Sequence, residues 1–334
     1  MHETPNIRQN PAKPPSPLDG MVGRRSTDLA FYSDSKVLVY LIHGVTGTPT
    51  EMRYLGRGLA RHKWDVYATT LPGHGTRLRD LLRTNDHDWL EHIKAQLAFA
   101  RDRYDYVFVA GLSAGGLLAL EASAFVGVDG VGVLSPTFIY DGWNTPWTHA
   151  ILPLAMKWIP RPLQSVFFHV DGPPFGIKDE RLQARMRESY SPISLLREWL
   201  RACWARRKNH AADNRTPASS AATTGYPVFP LKTFTDLDRL NTRVRSRLRA
   251  VTAPTVILQA LEDDLSSPRN AQIVHDEISS REKRVVLLED CYHVITVDKQ
   301  RHSVVAALAE FFGAQLPKEK PAQRNHHLAD SLLP

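Results

Sequence analysis

Apolar residues along this chain gather in short unbroken runs. Val37-Leu38-Val39-Tyr40-Leu41-Ile42, Tyr106-Val107-Phe108-Val109-Ala110, Thr255-Val256-Ile257-Leu258-Gln259 and Val285-Val286-Leu287-Leu288 are apolar at nearly every position and rich in β-branched residues. Such runs read as strands, and the first of them, Val37 to Ile42, as a parallel strand buried on both faces. Helical spacing lies between them: Met52, Leu55 and Leu59 share one face of a helix starting near Thr50, and Val304 to Phe312 gives a terminal helix. Strands near 37–42, 64–70, 105–110, 128–134, 254–259 and 284–288 alternate with helical patterns, which predicts an α/β fold built on a doubly wound, mostly parallel sheet. The alternation stops after Leu134-Ser135-Pro136 and resumes at Ala253-Pro254. Residues 31–136 and 250–316 are therefore read as the core and 137–249 as an inserted lid with a flexible loop at 209–225. Residues 1–30 read as a Pro-rich disordered arm, and 317–334 as a polar tail.

The chemistry-bearing segments fall where these strands end. Gly111-Leu112-Ser113-Ala114-Gly115 stands between a strand and a helix. Glycines two residues either side of a serine permit a turn tight enough to lift its hydroxyl above the sheet. The Ala114 N–H, at the start of the helix, is then free to donate to a developing oxyanion. A serine needs a base, and the base a third group that fixes its tautomer. Downstream come the carboxylates Glu262, Asp263 and Asp264 after one strand, then His293 after the last strand, the serine, acid, histidine order of a G-x-S-x-G hydrolase. Upstream, His43-Gly44-Val45-Thr46-Gly47 follows the first apolar run. Its glycines let the backbone approach a reacting carbonyl, making the Val45 N–H a second oxyanion donor, while His43 reads as a structural residue of this loop.

With these residues in order the chain resembles the α/β-hydrolases of the bacterial carboxylesterase and monoacylglycerol lipase type. His43 to Gly47 matches the HG-x-x-G loop, and Leu71-Pro72-Gly73-His74-Gly75, Asp88-Trp89, Gly111 to Gly115 and His293 to Asp298 match further motifs. The resemblance picks Asp263 as the acid, because the family's acid is followed five positions later by a proline, here Pro268. Spacing alone leaves Asp264 and Glu262 open. Val45 departs from the bulkier residue such esterases often carry. The resemblance implies an acyl-enzyme on Ser113, a small-molecule ester substrate with an apolar acyl chain, and no cofactor or metal. The same triad also serves acyltransferases, thioesterases and serine peptidases, and the fold can survive as a non-catalytic binding protein.

Composition narrows the setting. No apolar run nears the roughly 18 residues that cross a membrane, and Met1 to Asp19 lacks the hydrophobic stretch of a signal peptide. Cys203 and Cys291 are the only cysteines, too few for a disulfide framework. A cytoplasmic enzyme is expected. The inserted segment holds five of the seven tryptophans, which can wall an acyl pocket or form the lid's own core. Between Arg197 and Arg249, twelve Arg or Lys face four Asp or Glu, a net of +8 in a chain of net +7. Arg206-Arg207-Lys208 and the series Arg239, Arg243, Arg245, Arg247 and Arg249 read as a solvated helix face or as a weak contact for anionic membrane surfaces. No nucleic-acid-binding motif accompanies them.

Overall fold

The structure, a computed structural model, describes residues 17–189, except 22, 147, 148 and 150, and residues 225–317. Seven strands form one sheet in the order β1-β3-β2-β4-β5-β8-β9: β1 Leu29–Phe31, β2 Val37–Ile42, β3 Asp65–Thr69, β4 Tyr106–Leu112, β5 Gly130–Leu134, β8 Thr255–Ala260 and β9 Lys283–Leu288. All neighbours are parallel except β1, which runs antiparallel to β3. The helices are α1 Arg53–Ala60, α2 Leu78–Leu81, α3 Asp86–Arg101, α4 Ala114–Ser123, α5 Leu152–Trp158, α6 Arg161–Gln164, α7 Glu180–Ser189, α8 Leu231–Arg247, α9 Arg269–Glu277 and α10 Arg301–Ala314, and a separate ribbon pairs β6 Phe168–Val170 with β7 Val228–Pro230.

The apolar runs of the inner strands β2, β4 and β8 exist because the sheet is covered on both faces there, whereas the run in edge strand β9 is only partly buried and leaves Leu287 exposed. Successive side chains of a strand point to opposite faces, so Leu38, Tyr40 and Ile42 join the core beneath α3, α4 and α8, while Val39 and Leu41 join the core beneath α1 and α10. β2 is fully buried at all six positions. No helix among the described residues is long and apolar enough to cross a membrane.

Two expectations need correction. The arm read as disordered up to residue 30 is ordered from Pro17: Leu18 and Met21 are buried in the core, and β1 adds an antiparallel edge to β3 in the register Leu29↔Ala68. Three residues of strand at a sheet edge are too short for a periodicity to reveal. Residues 1–16, the loop at 209–224 and the tail from 318 lie outside the described residues.

Part of the basic series is committed inside the molecule, while Arg245, Arg247 and Arg249 stay exposed. Arg239 pairs with Asp86 at 2.9 Å, Arg243 with Glu121 at 2.6 Å and also with Asp86, Arg247 with Glu121 at 3.0 Å, and Arg245 with Glu277 at 2.6 Å. Asp86 and Glu121 are buried residues of α3 and α4. Carboxylates withdrawn from water need charged partners, and α8 supplies them, fastening the segment between β5 and β8 to the core.

Candidate active site

Ser113 occupies the single position between β4 and α4, with φ 54° and ψ −121°. A non-glycine residue in that region costs on the order of 1–3 kcal/mol unless its surroundings enforce it. They do so by contact: a Cβ on Gly111 would fall 2.1 Å from the Gly115 carbonyl oxygen, and one on Gly115 would fall 2.5 Å from the carbonyl oxygens of Ile42 and His43. The Ser113 N–H donates to the Leu134 carbonyl at 2.7 Å, anchoring the turn to β5. The Ala114 N–H is the first amide of α4 and has no carbonyl within the helix to pair with.

The loop after β2 comes alongside. His43 is buried; its Nδ1–H donates to the Gly44 carbonyl at 2.7 Å and its Nε2 accepts from the Leu71 N–H at 3.1 Å. Burial, with nearby His74 adding to it, pulls its pKa down to about 3, so it is a neutral ring of fixed tautomer. The Gly47 N–H closes a turn onto the Gly44 carbonyl at 3.1 Å, placing Val45 and Thr46 at the corner, with Thr46 at φ 63°.

Of the three adjacent carboxylates, the one meeting the imidazole is Asp263, whose Oδ2 and Oδ1 lie 2.9 and 3.1 Å from His293 Nδ1. Its oxygens also accept from the Leu265 and Ser266 N–H groups at 2.9 and 2.8 Å and from the Gln259 amide at 2.7 Å. Asp264 instead accepts from the backbone N–H of His293 at 3.2 Å and of Gly176 at 3.1 Å. Burial raises the Asp264 carboxyl pKa. Glu262 points outward to Lys178.

His293 is buried, which disfavours its charged form, but the charge and hydrogen bond of Asp263 outweigh burial and hold its pKa above the usual 6.5. Its Nε2 has no hydrogen-bond partner among the described residues. The Ser113 hydroxyl instead pairs with Thr137 Oγ1 at 3.2 Å, which contacts Ser266 Oγ at 3.3 Å, itself 3.3 Å from His293 Nδ1. Uncomplexed hydrolase sites often hold the serine–histidine contact open until substrate binds.

Sequence reasoning missed Thr137, Ser266, Asp171 and Glu51. None stands in a motif, and Thr137 meets Ser266 across 129 positions of chain. Asp171, at the end of β6, has its carboxyl pushed up to about 7 by burial. Cys291 is a buried free thiol whose pKa burial pushes up to about 12. Among the described residues no three His, Cys, Asp or Glu side chains converge to hold a metal ion. Of the lid aromatics, Phe175 is buried while Trp143 and Trp158 are exposed; Trp147, Tyr190, Trp199 and Trp204 lie outside the described residues.

The model of the Hydrolase_4 family, described as serine aminopeptidase, S33, matches residues 33–300. The chain is similar to the thermostable monoacylglycerol lipase of Bacillus sp. (strain H-257), 28% identical over 285 residues that make up 84% of this chain and 93% of that protein. It is also similar to a carboxylesterase of Bacillus subtilis (strain 168), 23% identical over 275 residues, or 82% of this chain and 91% of the other. Among solved structures, a soluble variant of the monoglyceride lipase of Saccharomyces cerevisiae, in complex with a substrate analog, superposes with a TM-score of 0.65 at 16% identity, covering 87% of this chain and 92% of that one.

Proposed function

The chain belongs to the Hydrolase_4 family of α/β-hydrolases, and from that premise we propose that it cleaves small carboxylic esters with an apolar acyl chain, of the monoacylglycerol or simple carboxylester kind, through an acyl-enzyme on Ser113. The observation carrying this reading is the pairing of a strained Ser113 at the end of β4 with a buried His293 whose Nδ1 is fixed 2.9 Å from Asp263 and whose Nε2 has no hydrogen-bond partner among the described residues. Ligands of open α/β sheets bind outside the carboxyl ends of the strands. The ends of β2, β4, β8 and β9 supply Val45, Ser113, Asp263 and His293.

In the reaction, rotation about the Ser113 Cα–Cβ bond exchanges Thr137 for His293 Nε2, which takes the hydroxyl proton as Oγ attacks the ester carbonyl. Asp263 holds the imidazole with its proton on Nδ1 and stabilises the imidazolium. The Val45 and Ala114 N–H groups receive the oxyanion. The imidazolium then protonates the departing alcohol, and a water activated by the same Nε2 releases the acid. The names of the two bacterial relatives support an ester substrate.

The test is turnover of p-nitrophenyl butyrate and of a monoacylglycerol, with the products resolved in the presence of added alcohol. Free acid as the main product is expected. A dominant new ester would make the protein an acyltransferase, and a folded protein with no turnover would make it a binder. We place the enzyme in the cytoplasm, on the ground of a buried free thiol and too few cysteines for a disulfide framework. Weak contact with anionic membranes rests on Arg206, Arg207 and Lys208, outside the described residues. Salt-sensitive co-sedimentation with anionic vesicles, lost on neutralising these three, tests it.

A further inference from the structure

A carboxylate stands beside the nucleophile that the mechanism above does not use. Glu51 lies in the short 3₁₀ turn Pro49–Met52 that opens α1, and this turn is fixed at its start by the Thr48 hydroxyl accepting from the Thr50 N–H at 3.3 Å and by the Glu51 N–H donating to the Thr48 carbonyl at 3.1 Å. From there the side chain reaches back seven residues, and its Oε2 accepts the Gly44 N–H at 3.2 Å. The carboxylate lies flat against the loop. A Cβ on Gly47 would meet Glu51 Oε1 at 2.1 Å, and a Cβ on Gly44 would stand 3.6 Å from Glu51 Oε2 and 3.8 Å from Ser113 Cβ.

The bonds around Gly44 divide the labour. Its carbonyl is held by His43 Nδ1 and the Gly47 N–H, and that carbonyl shares a peptide plane with the Val45 N–H. Its own N–H is held by Glu51 alone among the described residues. Gly44 has no side chain of its own to pack, so the carboxylate supplies the restraint on its N–H side.

We propose that Glu51 is a positioning residue for this reaction: by accepting the Gly44 N–H and filling the notch above Gly47, it holds the Val45 N–H in the direction that receives the oxyanion. The inference rests on the Ser113 reading above. The two glycines of the HG-x-x-G loop then have a further purpose, since Gly47 leaves the room Glu51 occupies. Burial pushes the Glu51 carboxyl up to about 7, with the Gly44 N–H and His293 opposing, so near neutrality much of it is uncharged and repels an oxyanion little.

The test compares wild type, E51A, E51Q, G47A and the double variant G47A/E51A on p-nitrophenyl butyrate, together with their affinity for an alkyl trifluoromethyl ketone, which forms a tetrahedral oxyanion on the serine. E51A is expected to lower kcat roughly 10–100-fold, a misaimed donor costing somewhat less than a deleted one, with KM changed less than about threefold. The ketone should lose affinity by the same factor as kcat, which a loss of folded protein would not produce. E51Q, whose amide oxygen still accepts from Gly44, should restore most of the rate lost in E51A. G47A displaces the side chain and should resemble E51A, and the double variant should be no worse than either single one, because both remove one contact. The proposal is overturned if E51A stays within about twofold of wild type, if E51Q is as slow as E51A, or if the two substitutions multiply. S113A on the same ester separates the two levels: activity surviving in S113A would remove the Ser113 reading itself, whatever Glu51 does.

Discussion

Ser113 carries a backbone conformation that its neighbours must enforce, and the neighbours are glycines because carbonyl oxygens lie where their Cβ atoms would be. In the proposed mechanism the hydroxyl acts only through His293 and Asp263, so removing Ser113 or His293 should each cost roughly 10⁴-fold or more in kcat, with the double variant scarcely worse than either. Ester kinetics on folded, purified variants checks this. Asp263→Asn should cost orders of magnitude by favouring the wrong tautomer, Glu262→Gln should be mild because that side chain faces Lys178 at the surface, and Asp264→Asn should fall between, since Asp264 holds the His293 backbone.

The proton on His293 sets the pH response. Asp263 raises its pKa above 6.5, and the base must be neutral to act, so kcat/KM should rise with pH along a limb centred above 6.5. Removing the Asp263 charge should move the surviving activity's limb to lower pH. For stability the sign is opposite: a raised folded pKa stabilises most fully below the unfolded value, and this contribution fades as pH climbs through the folded one. The residue types of the site were legible because catalytic order and flanking glycines are local or sequential signals. The choice of Asp263 over Asp264 came from the family resemblance and not from spacing, because it depends on which way two adjacent side chains turn, and Glu51 was invisible because its meaning lies in a contact with Gly44.

At the scale of elements, β2, β4, β5 and β8 announced themselves because a strand covered on both faces is apolar at nearly every step. The edge strand β1 could not, and neither could the pairing of Arg239, Arg243 and Arg247 on α8 with Asp86 and Glu121, more than a hundred positions away. Those pairs differ in worth. Arg243→Ala leaves buried Glu121 with Arg247 and buried Asp86 with Arg239, and should destabilise by about 1.5–3 kcal/mol. Arg245→Ala breaks only its surface pair with Glu277 and should cost about 0.2–1 kcal/mol. Urea denaturation of both variants measures the contrast, and equal losses would mean that the buried carboxylates are not held by Arg243.

Across the whole molecule, the segment between β5 and β8 grips two loops of the candidate site. Its Tyr226 N–H donates to the Thr46 carbonyl at 2.8 Å, gripping the loop after β2, and its Gly176 carbonyl accepts from the Val294 N–H at 2.7 Å, gripping the loop that carries His293. Gly176 itself sits at φ 71°, where a Cβ would meet Val294 Cγ2 at 2.7 Å and His293 Cβ at 3.3 Å. Gly176→Ala should therefore strain the backbone by about 1–2 kcal/mol and, by shifting His293, lower kcat about tenfold or more while ester binding changes little. A variant with normal kcat would show that the segment grips these loops without shaping the site.

The central claim is that Ser113 is the nucleophile of an ester hydrolase, and covalent capture tests it most directly. Treated with an alkyl fluorophosphonate, the protein should take up one phosphonyl group per chain, lose its esterase activity in parallel, and yield a modified peptide whose label maps to Ser113; S113A should remain unlabelled. Label on another residue, or full labelling of S113A, would contradict the account.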